Sequence, residues 1–191
     1  MEYIYEARNM LSSDFCKEII EKFENHPDKS AGAIGGSELH VNTYRKKSTD
    51  LRIYCRPEWK IINDQLERCL FSGIKEYFDH LSNNVFHEEC GILHGIFGDN
   101  ISITNFQIQR YEVGGHFKWH VDDELKIKRL FGFIIYLNDN ESCTEFFNGK
   151  NVKPEYGKIL LFPSTWTYPH RGQEVKKGIK YIITGFICEC I

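Results

Sequence analysis

Near residue 101 the hydrophobic pattern changes its period, and this switch constrains the fold more than any other feature of the chain. Before it, apolar residues recur at helical spacing. Phe15, Cys16, Ile19, Ile20 and Phe23 form one stripe behind the capping candidates Ser12, Ser13 and Asp14, which predicts a helix over 11–25. His26-Pro27 ends it, because the residue before proline is pushed out of the helical region. Trp59, Ile62, Leu66, Leu70, Ile74 and Tyr77 form a second stripe, predicting a helix from Pro57 to about Leu81. After the switch the period is two. Segments 101–111, 130–138, 158–163 and 180–189 are rich in Ile, Phe, Tyr and Leu and read as strands. Gly114-Gly115, Asn138-Asp139-Asn140, Asn148-Gly149 and Gly172 punctuate them.

Short strands between turn signals predict a sandwich or barrel. The expected fold is mainly β with flanking helices: a double-stranded β-helix core, jelly-roll or cupin-like, supported by N-terminal helices. One domain is expected over 1–191, with 1–85 as helical support and mobile loop and 100–190 as the core. The loop is the polar stretch 28–50, which carries Gly32, Gly35 and Gly36 and could close as a lid over a site.

Composition narrows the function classes. With 41% hydrophobic and 27% charged residues the chain is too apolar for a disordered protein. A formal net charge of −3 argues against a general nucleic-acid binder. No apolar run approaches the ~18 residues a membrane helix needs. The start, Met1-Glu2-Tyr3-Ile4-Tyr5-Glu6, lacks the features of an export signal, and seven scattered cysteines then read as reduced thiols of a cytoplasmic protein.

The chemistry lies among the polar residues of the stranded half. His120-Val121-Asp122 is an H-x-D pair; on a strand, positions i and i+2 share a face and could share a metal. His170 follows the apolar segment ending at Phe162-Pro163 and is a candidate third ligand. Two histidines and one carboxylate on one face of an octahedron leave three positions open, the pattern of non-heme iron(II) oxygenases. Lys180 opens the last strand and needs an anionic partner if it faces inward. Asn105, Gln107, Gln109 and Tyr111 share one strand face, too polar for plain core, so it meets either solvent or a polar cavity. Tyr136, in an otherwise apolar strand, wants a hydrogen-bond partner.

These residues resemble the prolyl 4-hydroxylase-like branch of the Fe(II)/2-oxoglutarate-dependent dioxygenases. The matching motifs are Tyr111-x-x-Gly114-Gly115-x-Phe117-x-x-His120-x-Asp122, Tyr136-Leu137-Asn138, Thr144-x-Phe146, Gly157-x-x-Leu160-x-Phe162-Pro163, His170-Arg171-Gly172, and Lys180. Val41-Asn42, Arg45 and Ser48 are similar to the family's segment before the second helix. The resemblance implies that His120, Asp122 and His170 bind Fe(II). It implies that Lys180 pairs with the distal carboxylate of 2-oxoglutarate, with Tyr111, Thr144 and Tyr136 nearby. It implies decarboxylation of 2-oxoglutarate by O2 to succinate and CO2, coupled to hydroxylation of a peptidyl proline, with ascorbate as an auxiliary reductant. Where many relatives have a Gly-Gly-Glu-Thr turn, this chain reads Glu141-Ser142-Cys143-Thr144.

A peptide or protein substrate is the implied partner, with neither nucleic acid nor membrane. Trp166, Arg129 and Arg171 are the substrate-contact candidates, Trp166 as an aromatic wall and the arginines as holders of a backbone carbonyl or carboxylate. The alternatives are an oxygenase of a free amino acid or other small molecule, and a non-catalytic jelly-roll binding module.

Overall fold

The computed structural model describes residues 3–35, 39–54, 56–85, 101–104, 106–123 and 128–189. Helix α1 spans Ser13–Glu24 and α2 spans Lys60–Asn84, entered through a 3-10 turn at Pro57–Trp59. Ser12 caps α1, its Oγ accepting from the Phe15 N–H at 3.2 Å. That bond satisfies one of the helix's unpaired first-turn donors, so Ser12→Ala should cost about 1 kcal/mol in a denaturant melt, and a negligible change would show the cap is idle.

Among the described residues, fifteen strands form the remaining elements. The main sheet runs in the order β1 (Tyr5–Ala7), β13 (Ile159–Pro163), β10 (Arg129–Tyr136), β15 (Lys180–Glu189), β8 (Gln107–Tyr111), β6 (Thr49–Arg52), β2 (Ser30–Ala31); β7 (Ile101–Ile103) pairs with the far end of β15. The minor sheet runs β12 (Asn151–Val152), β11 (Thr144–Phe146), β14 (His170–Gly172), β9 (His116–His120), β5 (Lys46–Lys47). A small ribbon pairs β3 (Ala33–Ile34) with β4 (His40–Val41). The two facing antiparallel sheets are the jelly roll that the period-two pattern predicts.

The main sheet has two apolar faces, and they do different jobs. Phe131, Phe133 and Ile135 of β10, with Ile159, Leu161, Tyr181 and Ile183, pack against Phe15, Ile19 and Phe23 of α1 and Ile62, Leu66, Leu70, Ile74 and Tyr77 of α2. Burial on that side fixes both helices to the outer face. The alternate residues Ile134, Tyr136, Leu160, Phe162 and Ile182 face the minor sheet and meet Phe146, Val152 and Val175. A strand buried on both faces has no polar alternation, as in β10. No helix among the described residues is long and apolar enough to cross a membrane.

Three expectations need correction. Residues 28–50 are not plain loop: the described ones among them supply β2–β5 and the start of β6, adding strands to both sheets. The backbone there is held by pairing with β8 and β9, and Lys46 and Asp50 are buried in a pair at 2.6 Å. Segment 101–111 is two strands rather than one, β7 and β8, both on β15; the Phe186 N–H donates to Thr104 Oγ1 where they part. Asn105 lies outside the described residues. Lastly, Asp122 is off the strand: β9 ends at His120.

Candidate active site

A bulge in β9 aims the first histidine. His120 pairs with His170 and Phe117 with Gly172, so the interval from 117 to 120 on β9 opposes that from 170 to 172 on β14. The extra residue lets Phe117 and His120, three apart, share the inner face, where their rings stack at 3.6 Å and 14°. On β14 the inner positions are His170 and Gly172, and His170 meets the Phe162 ring edge-on at 4.7 Å. Asp122 arrives from the segment after β9, its backbone carbonyl accepting from Arg129 Nη1 at 3.0 Å.

The three side chains converge. Their ligand atoms all lie within 4.8 Å of one another. The Asp122 oxygens are 3.6 Å from His120 Nε2 and 3.6 Å from His170 Nε2, too far for good hydrogen bonds. His120 Nδ1 lies 2.8 Å from the Lys118 carbonyl and His170 Nδ1 3.2 Å from the Tyr168 carbonyl. A carbonyl can only accept, so each Nδ1 carries the hydrogen and each Nε2 presents its lone pair to the common point. That second hydrogen bond is the usual orienting device of metal-binding histidines. Burial, reinforced by neighbouring His170, holds His120 well below the ordinary histidine range, so it is neutral as a ligand must be. Burial raises the Asp122 carboxyl against the pull of His170 and Arg129. Two imidazole nitrogens beside a carboxylate made costly by desolvation fit a divalent cation, which would relieve that cost.

Gly132 makes room for this carboxylate. A Cβ there would lie 2.8 Å from Asp122 Oδ2 and 2.8 Å from the Phe162 ring. Gly132→Ala should therefore displace Asp122 and weaken Fe(II) or Mn(II) binding by about tenfold or more, as loss of ligand support does. Unchanged affinity in a metal titration would show that the carboxylate has slack. A glycine inside the apolar run Leu130–Phe133 was the legible sign of this close approach.

The triad opens into a cavity of about 630 Å³ lined also by Tyr111, Gln109, Thr144 and Lys180. Lys180 is 2% exposed, and its Nζ donates to the Ser142 carbonyl at 3.0 Å. No carboxylate pairs with it among the described residues, and burial lowers its pKa to about 8. Thr144 faces the cavity, and the Tyr136 hydroxyl donates to its Oγ1 at 2.7 Å. Tyr136 thus stands behind Thr144 and positions it. The Tyr111 hydroxyl donates to Gln109 Oε1 at 2.6 Å, and Gln109 Nε2 to Gln107 Oε1 at 3.0 Å. The polar face of β8 therefore lines a cavity.

Of the substrate-contact candidates, only Arg129 reaches the cavity wall; its guanidinium also lies 3.8 Å over the Phe186 ring. Arg171 is on the outer face of the minor sheet, gripping Glu145 through Nε at 2.9 Å and Nη2 at 2.7 Å, beside Trp119. Trp166 is 74% exposed and lines no part of the cavity. Sequence reasoning missed the buried Lys46–Asp50 pair, with Ser48 Oγ donating to Asp50 at 2.6 Å. Nothing in a run of polar residues signals that one lysine turns inward.

Residues 106–188 match the family model of the 2OG-Fe(II) oxygenase superfamily. No curated protein matches the chain. Among solved structures, the viral collagen prolyl hydroxylase of Paramecium bursaria Chlorella virus-1, in its 2OG complex, is similar with a TM-score of 0.68 at 19% identity, over 99% of this chain and 97% of that one. A Trichoplax adhaerens prolyl hydroxylase, in complex with a hypoxia inducible factor peptide fragment, gives 0.73 at 16% identity, over 99% and 84%. A Pseudomonas putida prolyl-4-hydroxylase gives 0.66 at 12%, over 100% and 95%. At these identities the structures establish a shared fold, while the matched segment spans every strand from β8 to β14 and most of β15. Residues 106–188 are thus similar to the 2OG-Fe(II) oxygenase superfamily, and the chain as a whole shares the fold of these prolyl hydroxylases.

Proposed function

We propose that this protein hydroxylates a prolyl residue in a peptide, coupled to oxidative decarboxylation of 2-oxoglutarate to succinate and CO2. One observation carries the reading: the His120, Asp122 and His170 donors share a cavity with a buried lysine that has no carboxylate partner among the described residues. His120, Asp122 and His170 would hold Fe(II). When bound, the iron supplies O2 activation and C–H oxidation, chemistry that no side chain provides.

The protein's own residues bind, orient and exclude water. Lys180 receives the distal carboxylate of the co-substrate, exchanging one backbone carbonyl for an ion pair. Thr144, held by Tyr136, and Tyr111, held by Gln109, set hydroxyls on either side. Phe117 and Phe162 flank the histidines with apolar surface that keeps the centre dry. The prolyl substrate is supported by the fold shared with prolyl hydroxylases, one of them in complex with a peptide. A reducing compartment, the cytoplasm, suits the reading, since among the described residues Cys16, Cys69 and Cys143 are free thiols.

The test is mass spectrometry of proline-containing peptides incubated with protein, Fe(II), 2-oxoglutarate and O2. A one-oxygen gain on proline, matched by succinate, is expected. Succinate without peptide oxidation would move the substrate to another class.

A further inference from the structure

At its open end the cavity carries charge that the reaction centre does not use. Counting from the inside out, the charges of Fe(II), the Asp122 carboxylate, the 2-oxoglutarate dianion and the Lys180 ammonium cancel. Lys46 is matched by Asp50. At the rim, Arg129 and Asp123 are of opposite sign. Two further guanidiniums line the same cavity, Arg45 and Arg52. Arg45 Nη2 donates to the Trp119 carbonyl at 3.3 Å, and neither arginine has a carboxylate partner among the described residues. Nearby Arg56, by contrast, is paired with Asp28 and Glu58.

Register places a third donor beside Arg52. Arg52 is opposite Gln107 on the main sheet, and Gln107 is opposite Thr184. The Gln107 carbonyl oxygen is taken by Gln109, which leaves its amide N–H groups facing the cavity. Two uncompensated guanidiniums and an amide donor at the mouth of a protein with net charge −3 form a local site for an anion. Arginine's planar fork suits a carboxylate.

We propose that Arg45 and Arg52, with the Gln107 amide, form a carboxylate subsite that selects substrates bearing an acidic group next to the residue to be oxidised. This rests on the oxygenase reading above for its role in catalysis, but not for its binding chemistry. The carboxylate can come from an acidic residue of a peptide or from the α-carboxylate of a small substrate.

The test uses the full chain and a fluorescein-labelled peptide with one central proline flanked by glutamates, with glutamine and lysine twins. Fluorescence anisotropy should show the glutamate peptide binding about tenfold tighter than the glutamine twin, with the preference shrinking as salt rises. Arg52→Glu should reverse the order in favour of the lysine twin, a gain that misfolding cannot imitate. Displacement by free L-proline but not by its N-acetyl amide would assign the carboxylate to a small substrate; displacement by neither, with the glutamate preference intact, would assign it to a peptide. Equal binding of all three twins, or an unreversed order in Arg52→Glu, overturns the proposal. Succinate is measured in parallel. Its absence with every substrate, alongside a glutamate preference, would sink the oxygenase reading and leave the subsite standing.

Discussion

His170→Ala is expected to abolish metal-centred chemistry while leaving the fold in place. In an anaerobic titration with Fe(II) and 2-oxoglutarate, the wild-type protein should develop a weak visible charge-transfer band and the variant none. Fe(II) affinity should fall more than about a hundredfold, since losing only an outer support of a metal ligand costs 10–100-fold. The physical reason is the convergence of three donors within 4.8 Å, each histidine locked through Nδ1 to a backbone carbonyl. His170 packs against Phe162 and Phe146, so its removal also opens a small void. Melting the metal-free variant separates the two effects: a cooperative transition with no band assigns the loss to the ligand. A band that persists would remove His170 from the centre.

Lys180→Ala should raise the KM for 2-oxoglutarate by about thirtyfold or more, because truncating one partner of a buried charge pair costs about 2–5 kcal/mol. The wild-type pH profile provides an independent check. Burial lowers the Lys180 pKa to about 8 in the co-substrate-free protein. Only the ammonium attracts the co-substrate, so the group contributes fully below pH 8 and is lost as pH rises. kcat/KM for 2-oxoglutarate reports the free enzyme and should fall about tenfold per pH unit above 8. Lys180→Arg, whose charge does not titrate, should flatten that limb. A limb of the same slope in the arginine variant would assign it to another group.

Much of this molecule was readable before any coordinates. The helical stripes ending in Phe23 and Tyr77 and the alternating strands after residue 101 reflect two burial geometries, and burial is what the pattern of apolar residues records. Lys180 was readable for the same reason: a lysine heading the apolar run Tyr181–Ile183 has nowhere cheap to go. The H-x-D pair was readable as chemistry but not as geometry. Its same-face argument assumed a regular strand, whereas the β9 bulge turns His120 inward beside Phe117 and Asp122 comes from beyond the strand end.

Residues 28–50 were misread for a different physical reason. Their order comes from edge pairing with β8 and β9, which uses backbone groups that every residue carries and leaves no mark in side-chain pattern. Trp166 and Arg171 stand close to His170 in the chain. Yet successive strand residues point to opposite faces, so Arg171 turns outward to Glu145 as His170 turns in.

The sequence by itself determined the two helices and the long apolar strands, the layer order of helices on a jelly roll, and the donor types of the centre, because these follow from local periodicity and the cost of burying charge. Only the tertiary structure decided which donors meet, that Gly132 clears space for Asp122, that Lys46 is matched by Asp50, and that Arg45 and Arg52 reach the cavity mouth. Those outcomes depend on register, one bulge and pairing between distant segments, set by the packing of the whole chain rather than by any stretch of it.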